Sequence, residues 1–150
     1  MAEFKLVYCN NQTLLDEMHN IRETVLFKDD KYNRHHPDDV NPDNQCFIFL
    51  LNDKPVATVR LDFINPSEYA IRLVAVLPEY QGKKIGSKMM YAILDYANQK
   101  DIYKLVTNSA IEATKFYESL GFVKEAWIDT GEGVSQPTVP MVLKIQKKGS

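Results

Sequence analysis

RLVAVLPEYQGKKIGSKMMYAILDY, Arg72 to Tyr96, is the stretch that decides the fold. Leu73 to Leu77 is a short apolar run that predicts a buried strand, and Pro78, which has no N–H to donate, stops it. A polar connector follows, Glu79-Tyr80-Gln81-Gly82. Then Ile85, Met89, Ala92, Ile93 and Tyr96 recur at i, i+4, i+7, i+8 and i+11, one face of a helix. The order is strand, glycine-bearing turn, helix. Gly82 and Gly86 flank the helix start, where backbone N–H groups lack intrahelical partners and the positive end of the helix dipole faces outward. Such a terminus is an anion site, and phosphate is the anion it suits best.

Two common phosphate patterns do not fit. A dinucleotide fingerprint needs G-x-G-x-x-G, and only Gly82 and Gly86 are present; a Walker loop needs one more residue between its glycines. The turn QGKKIG resembles instead the pyrophosphate turn of the GNAT superfamily of acyl-CoA N-acyltransferases, [R/Q]-x-x-G-x-[G/A]. Gln81 and Gly86 match its ends, while Lys84 stands where that family usually has a glycine. A late motif of the same family, A-x-x-F-Y-x-x-x-G-F, is met by Ala113, Phe116, Tyr117, Gly121 and Phe122. Many members carry an asparagine three residues before that alanine, where this chain has Ala110; Asn108 fits another form, in which an Asn ends the preceding strand.

Outward from these motifs, Phe4 to Cys9 alternates as a first strand, Asn10 to Gln12 is a turn, and Thr13 is the expected N-cap of a helix carrying Leu14, Met18, Ile21 and Val25. His19 in that helix is expected at the solvated or core edge. Lys28 to Asn44, with Pro37 and Pro42, reads as an irregular loop with at most one helical turn. Its His35-His36-Pro37-Asp38-Asp39 run invites a metal, but no second His or Cys cluster supports one; a solvated loop and an acidic lip around a cationic substrate are the other readings. Cys46 to Leu51 and Val56 to Phe63 are strands joined at Asn52 to Pro55, with Arg60 and Asp62 on a cross-strand ion-pair face. Glu68 to Leu77 follows, then the long helix to about Asn98–Asp101, a strand Tyr103 to Thr107, and a helical segment Asn108 to Phe122 closed by Gly121. Strands Phe122 to Ile128 and Val139 to Ile145 flank a loop, Asp129 to Pro137. The resemblance runs nearly end to end. It implies one domain over residues 1–150 with an α/β GNAT fold, a mixed, mostly antiparallel sheet of about seven strands flanked by helices.

Composition sets the outer limits. At 150 residues the chain can bury a substantial core, and 45% hydrophobic with 25% charged residues is ordinary for a globular protein. A formal net charge of -2 argues against a nucleic-acid partner. The longest apolar run, Cys46 to Leu51, is too short for a bilayer, and no signal segment opens the chain, so a cytoplasmic location is expected. Cys9 and Cys46 lack metal-ligand spacing and read as buried thiols.

The resemblance also implies chemistry. Acetyl-CoA is the implied co-substrate, without a metal. Its diphosphate falls to the backbone of Gln81, Gly82, Lys83, Lys84, Ile85, Gly86 and Ser87, and its thioester to backbone groups of Val74, Ala75 and Val76 beyond a bulge. Asn108 is a further cofactor contact. Tyr117 is the implied general acid towards the departing thiolate, and no covalent acyl-enzyme is indicated because neither motif holds a cysteine. No residue stands out as general base; Glu68 and Asp62 have suitable strand positions, and a water relay serves as well. The implied acceptor is a primary amine of a small molecule or peptide, gripped by Lys28 to Asn44 and Asp129 to Pro137, and homodimers are common in the family. The alternatives are a non-catalytic acyl-CoA-binding sensor and an O-acyltransferase on the same scaffold.

Overall fold

The computed structural model describes residues 2–27, 31–129 and 137–147. Strands β1 (Phe4–Tyr8), β2 (Gln45–Leu51), β3 (Lys54–Asn65), β4 (Glu68–Val76), β5 (Lys104–Ala110), β6 (Val123–Lys124) and β7 (Thr138–Lys144) alternate with helices α1 (Gln12–Val25), α2 (Pro37–Val40), α3 (Ile85–Gln99) and α4 (Thr114–Ser119). The sheet has seven strands in the order β1-β2-β3-β4-β5-β7-β6. β4 and β5 run parallel, while β1–β2, β2–β3, β5–β7 and β6–β7 are antiparallel. This is the mixed α/β sheet expected. By packing, the chain forms two compact units, Met1–Asp62 with Ile71–Ile93 and Phe63–Ala70 with Leu94–Ser150.

In the first unit, α1 is capped by Asn11 rather than Thr13: the Asn11 side chain accepts a hydrogen bond from the Leu14 amide at 2.9 Å, and the backbone there is extended. Both residues can cap, and the one nearer the end of β1 does. Met18, Leu14 and Leu15 of α1 pack with Cys9, Cys46, Ile48 and Leu50. The β2–β3 connection is shorter than the four residues expected. Asn52 and Asp53 both adopt left-handed backbone (φ 49° and 65°), which gives the twist a two-residue hairpin needs, and Leu51 already pairs with Lys54. Val56, Ala57, Val59 and Leu61 are fully buried, and buried Thr58 satisfies its hydroxyl on the Phe47 carbonyl at 2.6 Å.

In the second unit, Ala70, Val106 and Val142 form a core with Ile64 and Trp127 against them. The expected helix over Asn108–Phe122 is α-helical only from Thr114 to Ser119. Asn108 to Ala110 remain in β5, paired with Pro140 to Thr138; a 3-10 turn spans Ile111–Ala113, and only then does α4 begin. It ends as anticipated at Gly121 (φ 103°), with Phe122 N–H on the Tyr117 carbonyl (3.1 Å) and Gly121 N–H on Glu118 (3.0 Å), the paired bonds of a Schellman cap. The strand expected over Phe122–Ile128 shrinks to Val123–Lys124. Pro140, opposite the next position, accepts from Glu125 N–H at 3.1 Å but has no N–H to return. Beyond it the indole of Trp127 donates to the Thr107 carbonyl at 3.0 Å.

Among the described residues, no helix is long and apolar enough to cross a membrane.

Candidate active site

Three backbone outliers gather around the strand–turn–helix of the first unit. In β4, Leu73 has φ 53°, a left-handed residue inside a strand, at a cost of roughly 1–2 kcal/mol for a side chain with a Cβ. It lies immediately before Val74, Ala75 and Val76. Ala75 is buried and its neighbours half-buried, so these three offer backbone rather than side chains. The chain then makes a 3-10 turn, with Tyr80 N–H on Leu77 O (2.9 Å) and Gln81 N–H on Pro78 O (3.2 Å). The Gln81 amide reaches back to the Val76 carbonyl at 2.8 Å, tying the strand end to the helix start.

Gly82 (φ 77°) and Lys84 (φ 62°) are the other two outliers. A Cβ on Gly82 would meet nothing within 4 Å, so the dihedral alone favours glycine there. Lys84 O accepts the first bond of α3, from Lys88 N–H at 3.1 Å, which makes Lys84 the capping residue. The N–H groups of Ile85, Gly86 and Ser87 open the helix, and Ile85, 4% exposed, anchors it. Lys84 thus holds a backbone that glycine adopts freely and lysine does not. Lys83, Lys84 and Lys88 are exposed; Lys83 lies 6.0 Å from the Tyr80 ring centre and Lys88 5.1 Å from that of Phe4.

The second unit holds Asn108 and Tyr117. Tyr117, 7% exposed, lies edge-on between Phe116 (5.1 Å) and Phe122 (5.4 Å). Burial pushes its phenol above the ordinary value, against which a hydrogen bond with the Thr107 side chain acts. Thr107 immediately precedes Asn108, whose amide donates to Asp129 at 2.7 Å. The expected cofactor contact therefore already has a protein partner, at the edge of a loop whose residues 130–136 lie outside those described.

The first unit also contains a charge network that motif reading passed over. Asp39 Oδ1 accepts from Arg22 Nη1 and Arg60 Nη1, each at 2.8 Å. Arg60 is gripped again by Asp62, at 2.5 and 3.1 Å, and Arg72 Nε lies 3.5 Å from Asp62. Arg60 is 6% exposed, so the expected surface ion-pair face is interior. Burial works to raise the Asp39 carboxyl, but Arg22 and Arg60 together outweigh it and hold it below the usual carboxylate range. Arg22 also donates to the Tyr32 hydroxyl at 3.1 Å, and that hydroxyl lies 2.6 Å from Nδ1 of His19, which is buried, so of the two expected positions the solvated one does not hold. One signal was available in the sequence: Arg22 follows Met18 by four residues and neighbours Ile21, so it lies on the apolar face of α1. In the histidine-aspartate run, His36 Nδ1 accepts from Asp38 N–H at 3.1 Å. No group of three or more His, Cys, Asp or Glu among the described residues is placed to hold a metal.

Solved acetyltransferases share this architecture. The ribosomal-protein-S18-alanine N-acetyltransferase of Escherichia coli superposes with a TM-score of 0.75 over 99% of this chain and 97% of that one, at 18% identity. The spermidine N-acetyltransferase of Vibrio cholerae, solved with CoA and spermine, gives 0.74 over 95% of each chain at 19% identity. At such identities the likeness is one of fold. Residues 12–122 match the acetyltransferase (GNAT) family model, and the chain belongs to that family. The N-alpha-acetyltransferase RimI of Mycobacterium tuberculosis is 35% identical over 63 residues, 42% of this chain and 40% of that protein. The match spans less than half the length of the curated relatives, 18% in a Mycobacterium leprae protein.

Proposed function

We propose that the chain is an acetyl-CoA-dependent N-acetyltransferase, one domain over residues 1–150, that acetylates a primary amine by direct attack in a ternary complex. The observation that carries this is the turn from Gln81 to Ser87, with left-handed Gly82 and Lys84 opening α3, in a member of this family. Helix-start N–H groups that a phosphate can approach closely suit the cofactor's diphosphate. Backbone groups of Val74 to Val76, beyond the Leu73 distortion, are assigned to the thioester oxygen, where developing negative charge needs fixed donors. Asn108 is assigned to the cofactor as well, on motif position.

In the reaction the amine nitrogen bonds to the thioester carbon, the C–S bond breaks, and the nitrogen loses a proton to solvent or a base. The thiolate takes a proton from Tyr117. Proton transfer from a phenol to an alkyl thiolate runs uphill, by roughly 2 kcal/mol for the unperturbed groups and by more for this buried phenol, a cost carried by the favourable acyl transfer. Burial raises the phenol further, which keeps it protonated at neutral pH.

The acceptor is assigned to the segment between α1 and β2, described over residues 31–44, and to the loop before β7. A primary amine on a small molecule or peptide fits the spermidine and ribosomal-protein acetyltransferases that share the fold, and the net charge of -2 favours neither nucleic acid nor an anionic membrane. Two buried free thiols accord with a reducing cytoplasm.

The test is release of free thiol from acetyl-CoA across a panel of polyamines, amino acids, aminoglycosides and peptides. With an acceptor in hand, Tyr117→Phe should keep the acetyl-CoA dissociation constant and lower kcat on the order of 10²-fold. Acetyl-CoA binding without thiol release on any amine would make the chain a binding module instead.

A further inference from the structure

We infer that Asp39 is the positioning residue of the acceptor segment: its carboxylate, held by Arg22 and Arg60, fixes residues 31–44 in the conformation that receives the amine. This rests on the acceptor assignment above.

Several other contacts of the segment are exposed or lie within it, although Arg34 also donates to Asn20 of α1 at 2.8 Å. α2 has no buried residue, and Val40 on it is 70% exposed. Arg34 pairs with Glu23, but both side chains are more than a third exposed, where such pairs contribute little. The Asn44 amide bonds the Asp38 carbonyl within the segment itself. Tyr32, against Phe27 at 4.8 Å, secures the early part only. Asp39 is different. Its side chain is 3% exposed, and the two guanidiniums it joins are 1% and 8% exposed.

Those guanidiniums belong to rigid elements, Arg22 to α1 and Arg60 to β3, and Asp62 braces Arg60 from its other side. The segment therefore docks onto a fixed fork. With Asp39 in place, Arg22 and Arg60 share its carboxylate; with it withdrawn, Arg60 keeps Asp62 but buried Arg22 loses the carboxylate it pairs with, an arrangement that buried charges strongly disfavour. The docked position is discrete for that reason. It also decides where Asp38 goes, since its carboxylate, 41% exposed, stands 3.8 Å from Arg60. The expected acidic lip is correspondingly reduced: the Asp39 charge is spent inward, and any outward charge from this pair of residues is that of Asp38.

Asp39→Asn isolates the charge, and because that variant can fail to fold, it is paired with the double variant Asp39→Asn/Arg22→Met, which restores the balance of buried charge. With the acceptor found by the panel, the double variant should show an acceptor KM raised about 10-fold or more, kcat within about 3-fold, and an unchanged acetyl-CoA dissociation constant, the pattern of lost acceptor binding. Hydrogen exchange supplies an activity-independent readout. The amides of Asp39 and Asn44, bonded to His36 and Asn41 carbonyls, should lose protection while α1 and β2 keep theirs. An unchanged acceptor KM, or parallel loss for both substrates and kcat, overturns the positioning role. If the wild type acetylates no amine, the acceptor assignment falls; protection kept at both amides then removes the anchoring as well, and protection lost retains it.

Discussion

Replacing Lys84 by glycine and by alanine separates two properties that this residue combines. Its φ of 62° is left-handed, which costs a residue with a Cβ roughly 1–2 kcal/mol. Glycine removes that cost but gives back about 0.5–1 kcal/mol through the greater freedom of its unfolded chain. The net gain expected for Lys84→Gly over Lys84→Ala is therefore about 0.5–1 kcal/mol, a rise in melting temperature of roughly 1–4 °C for a chain of this size. Removing a cation from a helix N-terminus acts equally in both variants, so their difference isolates the backbone. Binding should not separate the two variants from each other. If Lys84 makes a charge contact with the cofactor's phosphates, both substitutions raise the acetyl-CoA dissociation constant by a similar factor, about 1.4- to 5-fold for an exposed pair, and both flatten its salt dependence. Thermal unfolding of the cofactor-free protein measures the first effect, and titration calorimetry at low and high salt the second. Equal stability of the glycine and alanine variants would refute the strain argument, and unaltered dissociation constants at both salt concentrations would reduce Lys84 to a surface residue.

Two further predictions concern buried titratable groups. His19 is buried, and that burial, with the nearby Arg22 and Arg34 cations acting against Asp39 and Asp16, lowers its pKa below the ordinary 6.5. The unfolded chain then binds the extra proton first, so the contribution is whole above pH 6.5 and is lost as pH falls below it, by at most ~1.4 kcal/mol per pH unit. Melting temperatures at pH 7.5 and 5.5 should drop less in His19→Gln than in the wild type, and equal drops would assign the dependence elsewhere. Burial pushes the Cys9 thiol up to about 12, with Cys46 beside it adding to the shift, and pushes Cys46 up to about 11 against the opposing pull of Arg22. Neither should react with an aromatic disulfide reagent at pH 8 in the folded protein, and both should in denaturant; rapid reaction of one equivalent in the folded state would contradict the burial of that thiol.

What could be read along the chain, and what could not, follows the range of the interactions involved. The turn at Gly82 and the helix after it depend on neighbours within a few residues, so punctuation and a 3.6-residue period were enough to find them. Asn108 to Ala110 were expected to enter a helix, and local spacing supports that. They stay in a strand because Thr138 to Pro140, nearly thirty residues later, pair with them. The Asp39 fork lies further still from local reading, since it joins residues 17 and 21 positions apart and shows itself only as an arginine on the apolar face of α1. Lys84 is an intermediate case. Its charge points to a phosphate contact, while its dihedral is one that glycine at this position would adopt more freely. A chain that keeps a lysine at left-handed φ, at the mouth of a helix that disfavours cations, breaks two local rules at one position, and violations of that kind concentrate where a ligand compensates for them. The glycine and alanine variants decide whether that compensation comes from the cofactor: a contact with the bound polyanion makes the lysine chain bind acetyl-CoA more tightly than either variant, although the glycine chain is the more stable one without it.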